Sequence, residues 1–390
     1  MVRSLHVATL IGLLFAALMP HSARAQDGPG VPDVRFAHLA RGINLPGWFW
    51  YGPDSLAQVE RVFTAADFEL IRGMGFTHVR VPVDLNFLLD ENDPDLLNDD
   101  ALSVFDRALA DMLAHDLAVI VDIHSTSLDY DNIFSGKLEM HPEFVDTFEA
   151  FWRSFAAHLS TTDPEQVFLE ILNEPVYMNM AIVWTNIQVR LAAAIRESAP
   201  EHTIIATSAE WSNINTFIRL EPLDDPNVIY NFHFYEPFWF THQGATWAGP
   251  EVMILRGVPY PSTLDNVEPV VLALEQSIPA GSDLAWLPSI IRQHGREQWN
   301  ESRIDERIAL AAAWGDRHGV RLMCNEFGAY SLRAASQDRA AWIHDVRIAL
   351  ERYGISWAMW EYSEGFGLVT RTVNRTIVNG PIAEALGVQP

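Results

Sequence analysis

Two glutamates stand four residues apart in the apolar stretch "VFLEILNEP", residues 167–175. Carboxylates are rarely buried in a strand without a partner or a chemical purpose. If the stretch is a β-strand, Glu170 and Glu174 point to one face, and at ~3.3 Å per residue Glu170 lies roughly 13 Å below Glu174. Both cannot then reach one bond of a substrate. Glu174, at the rim beside a proline, suits general acid/base chemistry. Glu170, pointing inward but deep, is expected to be a structural carboxylate paired with an arginine or a hydroxyl. A second reactive carboxylate must come from elsewhere, and Glu326 in "CNEFGAY" ends another apolar run.

The elements that would position these groups can be read from the pattern. Eight short runs rich in Val and Ile alternate with longer amphipathic segments: "RGINL" (41–45), "THVRVP" (77–82), "LAVIVDIH" (117–124), "VFLEILN" (167–173), "HTIIATS" (202–208), "NVIYNFHFY" (227–235), "VRLMCNEF" (320–327) and "GISWAMW" (354–360). Segments 64–75, 101–116, 142–160, 181–199 and 338–354 carry apolar residues at spacings of three and four, as helices covering a sheet do. Thr64 and Asp99 are expected as N-caps, and Gly73, Gly75 and Gly354 as stops. Strict βα alternation predicts an α/β (β/α)8 TIM barrel. No G-x-G-x-x-G or P-loop follows any strand, which speaks against nucleotide binding. The connection after the sixth strand is too long for a βα loop, so a small inserted subdomain is expected at about 238–302, with a helical stretch in "LPSIIRQHGREQWN".

Residues 1–25 have an early Arg3, an apolar run from Val7 to Met19 and Ala23-Arg24-Ala25 as an A-x-A cleavage site, so they are read as a signal peptide. The run is too short to span a bilayer, which needs about 20 apolar residues. The expectation is a secreted protein, extracellular or periplasmic, with residues 26–390 as a single catalytic domain, free of the membrane once cleaved, and monomeric. Formal charge is −25; the leader holds two arginines and no acid, leaving −27 on the remainder. That excludes nucleic acid as a partner. The single cysteine, Cys324, cannot form an intramolecular disulfide, and no cluster has structural-zinc spacing. No metal and no organic cofactor are expected.

In a TIM barrel the reactive groups sit at the C-terminal ends of the strands. Polar residues collect there: Arg80, His124, Asn173 with Glu174, His233 with Tyr235, Asn325 with Glu326, and Trp360. A retaining glycosidase needs two carboxyl groups about 5–5.5 Å apart, a distance natural between the tops of strands four and seven. On that reading Arg80 orients Glu326, Asn173 bonds a sugar 2-OH, Tyr235 donates to the nucleophile, and His233 and His124 orient the acid/base or a sugar hydroxyl. Aromatics follow the strand ends as well: Trp48, Phe49, Trp50 and Tyr51; Trp211; Trp239, Phe240 and Trp247; Trp360 and Tyr362. Sugar rings stack on such faces, so Trp48, Trp50, Trp211, Trp239, Trp247 and Trp360 are expected to line a saccharide cleft.

These motifs, "RGINLPGWFW", "GFTHVRVPVD", "VIVDIH", "LEILNEP", "YNFHFYEPFWFTHQGATW", "CNEFGAY" and "WAMWEY", resemble glycoside hydrolase family 5, the cellulase family of retaining TIM-barrel enzymes. The resemblance implies Glu174 as acid/base and Glu326 as nucleophile, with Arg80, His124, Asn173, His233, Tyr235 and Trp360 completing the site. The segment after strand six is similar to that of a branch of bacterial endoglucanases, which implies β-1,4-glucan as substrate. The family also holds mannanases, β-1,3-glucanases and exo-acting enzymes, and a catalytically silent carbohydrate-binding barrel is a further alternative. One departure is Ser125, which follows His124 where many endoglucanases of that branch have a second histidine.

Overall fold

In the computed structural model, residues 30–93, 95–124, 138, 141–372 and 375–389 are described. The expected signal peptide and Ser125 lie outside the described residues. Eight parallel strands close on themselves: β1 (Arg41–Asn44), β2 (His78–Asp84), β3 (Ala118–His124), β4 (Val167–Glu170), β5 (Thr203–Thr207), β6 (Val228–Phe234), β7 (Arg321–Phe327) and β8 (Ser356–Met359), with β8 bonded back to β1. The fold is a (β/α)8 barrel. Most strand edges shift by one or two residues from expectation, and β4 shifts further. It stops at Glu170 rather than Asn173, after which Ile171 N–H donates to Ile205 on one side (3.2 Å) and Asn173 N–H to Ile123 on the other (2.9 Å). Beyond Glu170 the chain is no longer a strand, so period-two spacing does not govern where Glu174 points.

The covering helices begin and end for local reasons. Thr64 N–H donates to Asp67 Oδ2 (3.0 Å) in a capping box ahead of helix Ala65–Met74. That helix ends at Gly75, whose φ of 100° is left-handed; Gly73, an expected stop, lies inside it. Asn98, not Asp99, caps helix Asp99–Ala114, its Oδ1 accepting from Ala101 N–H at 3.1 Å. Asp99 already has a helical place in the first turn, where its charge meets the positive end of the helix dipole. Trp152, Trp184 and Trp314, buried in the outer ring of helices, donate their indole N–H groups to Ile171, Thr207 and Leu220 carbonyls at 2.9–3.1 Å, satisfying acceptors just after β4, at the end of β5 and in the connection between β5 and β6.

Inside the barrel, residues two apart on one strand point the same way. The lower level is apolar: Ile120, Phe168, Ile205, Ile229 and Met323 pack against Val31 and Leu39 of the N-terminal segment. Helix Asp33–Ala37 in that segment closes the bottom, and Arg35 Nη1 ties it down by donating to the Glu201 carbonyl at 2.7 Å. At this level β1 approaches β2 so closely that a Cβ on Gly42 would lie 2.1 Å from His78 Nε2. The upper level is polar and supports the site.

The long connection after β6 folds as short helices Phe238–Thr241 and Pro250–Met253 and an antiparallel-packed pair, Leu264–Ser277 and Leu287–Glu297. The first of the pair was not legible as a helix. Gly295 lets the two approach, since a Cβ there would lie 2.6 Å from Val267 Cγ2. Val267, Val271, Leu274, Leu287 and Ile291 of the pair belong to the main hydrophobic core, so the insertion shares that core. At its root the buried Gln243 amide is fully engaged, donating to Phe240 and Val258 carbonyls and accepting from Val258 N–H at 2.9–3.1 Å.

Candidate active site

Arg80, on β2, is fully buried and spends every N–H it has. Nε and Nη2 hold Glu170 in a two-pronged pair (2.7 and 2.9 Å), Nη1 donates to Glu326 Oε1 (2.7 Å) and Asn44 Oδ1 (2.9 Å), and Nη2 also donates to Asn173 Oδ1 (2.8 Å). Asp122 Oδ2 lies 2.9 Å from Nη2 as well. One cation therefore serves three carboxylates from β3, β4 and β7. Removing water from so many acids disfavours their charged forms. Burial pushes Asp122 up to about 7, with Arg80 opposing, and raises Glu170. Glu170 is the buried, arginine-paired carboxylate expected, and Asn325 Nδ2 adds a third bond at 2.8 Å.

Glu174 stands apart. It makes no ion pair with Arg80, and its side chain keeps 17 % exposure. His233 Nδ1 lies 2.7 Å from its Oε1, and burial pushes its carboxyl up to about 8. One oxygen each of Glu174 and Glu326 and a ring nitrogen of His233 all fall within 4.8 Å of one another. Tyr235 O–H donates to Glu326 Oε2 at 3.0 Å, completing the hold on that carboxylate.

The side of the site on β3 is fixed by a tautomer. Arg80 donates to Asn173 Oδ1, so Asn173 Nδ2 is the group that faces His124 Nε2 at 3.1 Å, and that nitrogen must accept. His124 Nδ1 then carries the proton and donates to Asp122 Oδ2 at 2.6 Å. Burial lowers the pKa of both His124 and His233, which agrees with neutral rings. Thus His124 reaches Asn173 and Asp122, whereas His233 alone reaches Glu174.

A bulge aims β7. Phe232 pairs with Cys324 but His233 pairs with Glu326, leaving Asn325 as the extra residue. In an unbroken strand Asn325 and Glu326 would face opposite sides; here both reach the Arg80 cluster, Asn325 through Glu170. Asn231 Oδ1 accepts Asn325 N–H (3.0 Å) and Asn44 Nδ2 donates to Asn325 O (2.8 Å), so the bulge is held from both flanks.

The aromatic expectations divide. Trp50 lies over His124 (ring centroids 4.0 Å) and near Trp360 (5.9 Å), which itself stacks on His124 at 19°. Trp211 and Trp247 are 47 % and 51 % exposed. Trp239 is half-buried and meets Trp286 edge-on at 6.2 Å. Trp48 is a correction: it is 3 % exposed, packs on Phe49 and Phe63, and donates to the Val59 carbonyl at 2.9 Å, so it is core. Phe49, Phe240 and Tyr362 are buried likewise. Asp122, Asn44 and Trp286 were not singled out in the sequence. Asp122 had a signal, being two residues before His124 on the same strand face; the other two had none.

Residues 38–365 match the sequence profile described as Cellulase (glycosyl hydrolase family 5). The chain belongs to this family. Glycosyl hydrolase family 5 relatives include Endoglucanase 3 of Fibrobacter succinogenes, 26 % identical over 90 % of the chain, although the chain spans only 53 % of that protein. Endoglucanase C of Acetivibrio thermocellus is 28 % identical over 83 % of the chain and 91 % of its own length. Among solved structures, the endoglucanase Cel5A of Thermotoga maritima superposes with a TM-score of 0.71 at 26 % identity, covering 90 % of the chain and 98 % of that protein. Other structures of Cel5A hold cellobiose and mannotriose. Within this family 5 site, Glu174, His233 and Glu326 are, among the described residues, the one group with metal-ligand spacing.

Proposed function

We propose that this protein hydrolyses β-1,4-glucosidic bonds within cellulose-type or mixed-linkage β-glucans by double displacement with net retention. The observation that carries the reading is the placement of Glu174 and Glu326 oxygens within 4.8 Å, close enough to flank one anomeric carbon. The two acids have opposite surroundings, which assigns their roles. Glu326 accepts from Arg80 on one oxygen and from Tyr235 on the other, which fixes its orientation, and is the nucleophile. Glu174, raised to about 8, holds a proton at neutral pH and is the general acid. In the tautomer where His233 Nδ1–H donates to Oε1, the acidic proton is left on Oε2, available to the leaving oxygen.

In the first step Glu326 attacks the anomeric carbon, the glycosidic C–O bond breaks, and Glu174 gives its proton to the departing sugar. In the second, Glu174, now a carboxylate, takes a proton from water, which attacks the same carbon and releases Glu326. Asn173 has one N–H on His124 and a second for the sugar 2-OH, an interaction that strengthens in the transition state. Trp50, Trp360, Trp211, Trp239 and Trp247 line the saccharide cleft. No cofactor enters either step. The chain acts as a monomer exported through residues 1–25; among the described residues no helix is long and apolar enough to cross a membrane.

A screen of reducing-sugar release on carboxymethyl-cellulose, barley glucan, laminarin and mannan, with product lengths, tests the reading. Mixed-length oligosaccharides from the first two are the expected result. The mannotriose complex of Cel5A favours β-mannan as a second substrate. Release from laminarin alone, or of single terminal sugars only, would overturn the assignment.

A further inference from the structure

We propose that the turn at residues 210–212 is a clamp that positions the acid/base carboxylate, with Ser212 and Glu210 as positioning residues; this rests on Glu174 being the acid/base.

Residues 171–180, which carry Glu174, form neither strand nor helix. A loop of that length left to itself would let a rim carboxylate wander, yet general acid catalysis needs the carboxyl held within about 0.5 Å of the position from which it protonates the leaving oxygen. Among the described residues Glu174 has a single side-chain partner, His233, which fixes one oxygen but not the backbone behind it. The backbone is fixed from the neighbouring turn after β5. Ser212 Oγ donates to the Asn173 carbonyl (3.1 Å), directly before Glu174. Trp211 N–H and Glu210 N–H donate to the Pro175 and Val176 carbonyls, directly after it, at 3.3 and 2.8 Å. Glu210 Oε1 accepts Asn179 N–H at 3.1 Å. Four bonds thus bracket Glu174 on both sides.

The conformation needed to aim these donors is unusual. Glu210, Trp211 and Ser212 have φ of 57°, 57° and 56°, three consecutive non-glycine residues in the left-handed region. Strained backbone of this kind persists where surroundings over-determine it, and it clusters at functional sites. Here the determinant is Ser212, fully buried, which takes a hydrogen bond from Thr207 Oγ1 (2.7 Å) at the top of β5 while giving one to Asn173. A rigid line runs from a barrel strand through Ser212 to the residue preceding the acid. Glu210 is the peripheral arm, half-buried at the outer edge of the turn.

Substrates that differ in their need for a proton separate this role from a merely structural one. The leaving sugar of cellotetraose departs only with proton donation, whereas 2,4-dinitrophenolate leaves from its β-cellobioside without it. Values of kcat/KM report the first step for both, and their ratio is independent of the folded fraction. For Ser212→Ala and Glu210→Ala we expect kcat/KM on cellotetraose to fall about tenfold, a part of the ~10²–10⁴-fold that general acid catalysis supplies, with less than about twofold on the aryl glycoside. Glu174→Gln is the reference. If it shows the selective loss and both clamp variants leave the ratio at the wild-type value, the clamp is overturned and the acid stands. If Glu174→Gln itself shows no selectivity, the assignment of the acid fails.

Discussion

Phe168 and Glu170 leave the same strand, two residues apart, and point into the same barrel, yet one is packed among hydrocarbons and the other is held by an arginine. The contrast repeats around the ring: Ile120 below Asp122, Ile205 below Thr207, Ile229 below Asn231, Met323 below Asn325. A rise of two residues exchanges burial of apolar surface, which stabilises without direction, for hydrogen bonds that direct without stabilising much. The lower level keeps the barrel closed; the upper one aims two carboxylates. Stability and chemistry are thus stacked rather than mixed, and substitutions in the two levels should read out differently.

The largest effect belongs to the upper level. Glu326→Ala should lower kcat on cello-oligosaccharides by roughly 10⁴–10⁶-fold, as loss of a nucleophile does, with a melting temperature close to wild type in calorimetry. Glu174→Gln should cost about 10²–10⁴-fold on the same substrates. Wild-type kcat/KM should fall as pH rises through about 8, where Glu174 loses its proton, and the variant should lack that limb. The variant also has a stability signature. Folded Glu174 keeps its proton up to about 8 while the unfolded carboxyl loses it in the ordinary acidic range, so wild-type stability declines across that interval. Above pH 8 Glu174→Gln should therefore melt higher than wild type, by several degrees, whereas the two should converge in acid.

Phe168→Ala probes the lower level. It should cost about 3–5 kcal/mol of unfolding free energy in urea titration, with turnover per folded molecule preserved at low temperature. Loss of activity without loss of stability would break the division. The smallest expected effect is at Asp122→Asn, about tenfold in kcat/KM, because Asn can still accept from His124. Removing a carboxyl from beside Arg80 makes the local field less negative and favours ionised Glu174, so the basic limb of the pH profile should move to lower pH.

Much of this was legible in the sequence. Apolar runs ending in Arg, His, Asn-Glu, His-Phe-Tyr and Asn-Glu announced both the barrel and the end at which chemistry sits, because strand periodicity is local. What was not legible depends on partners distant in sequence. The bulge at Asn325 is set by Asn231 and Asn44, so nothing within "CNEFGAY" marks it. Trp48 and Trp50 are both aromatic and two residues apart, but Phe63 and Phe68 draw the first into the core. β4 ended early because its neighbours' carbonyls pull Ile171 and Asn173 in opposite directions. The left-handed turn at 210–212 carries no glycine to signal it.

The most direct test of the account is covalent trapping. With 2,4-dinitrophenyl 2-deoxy-2-fluoro-β-cellobioside, the first step proceeds and the second stalls, so a glycosyl-enzyme should accumulate. Peptide mass spectrometry should place the fluorosugar on Glu326. An adduct on Glu174 or Glu170, or inverted product with no adduct, would contradict the assignment.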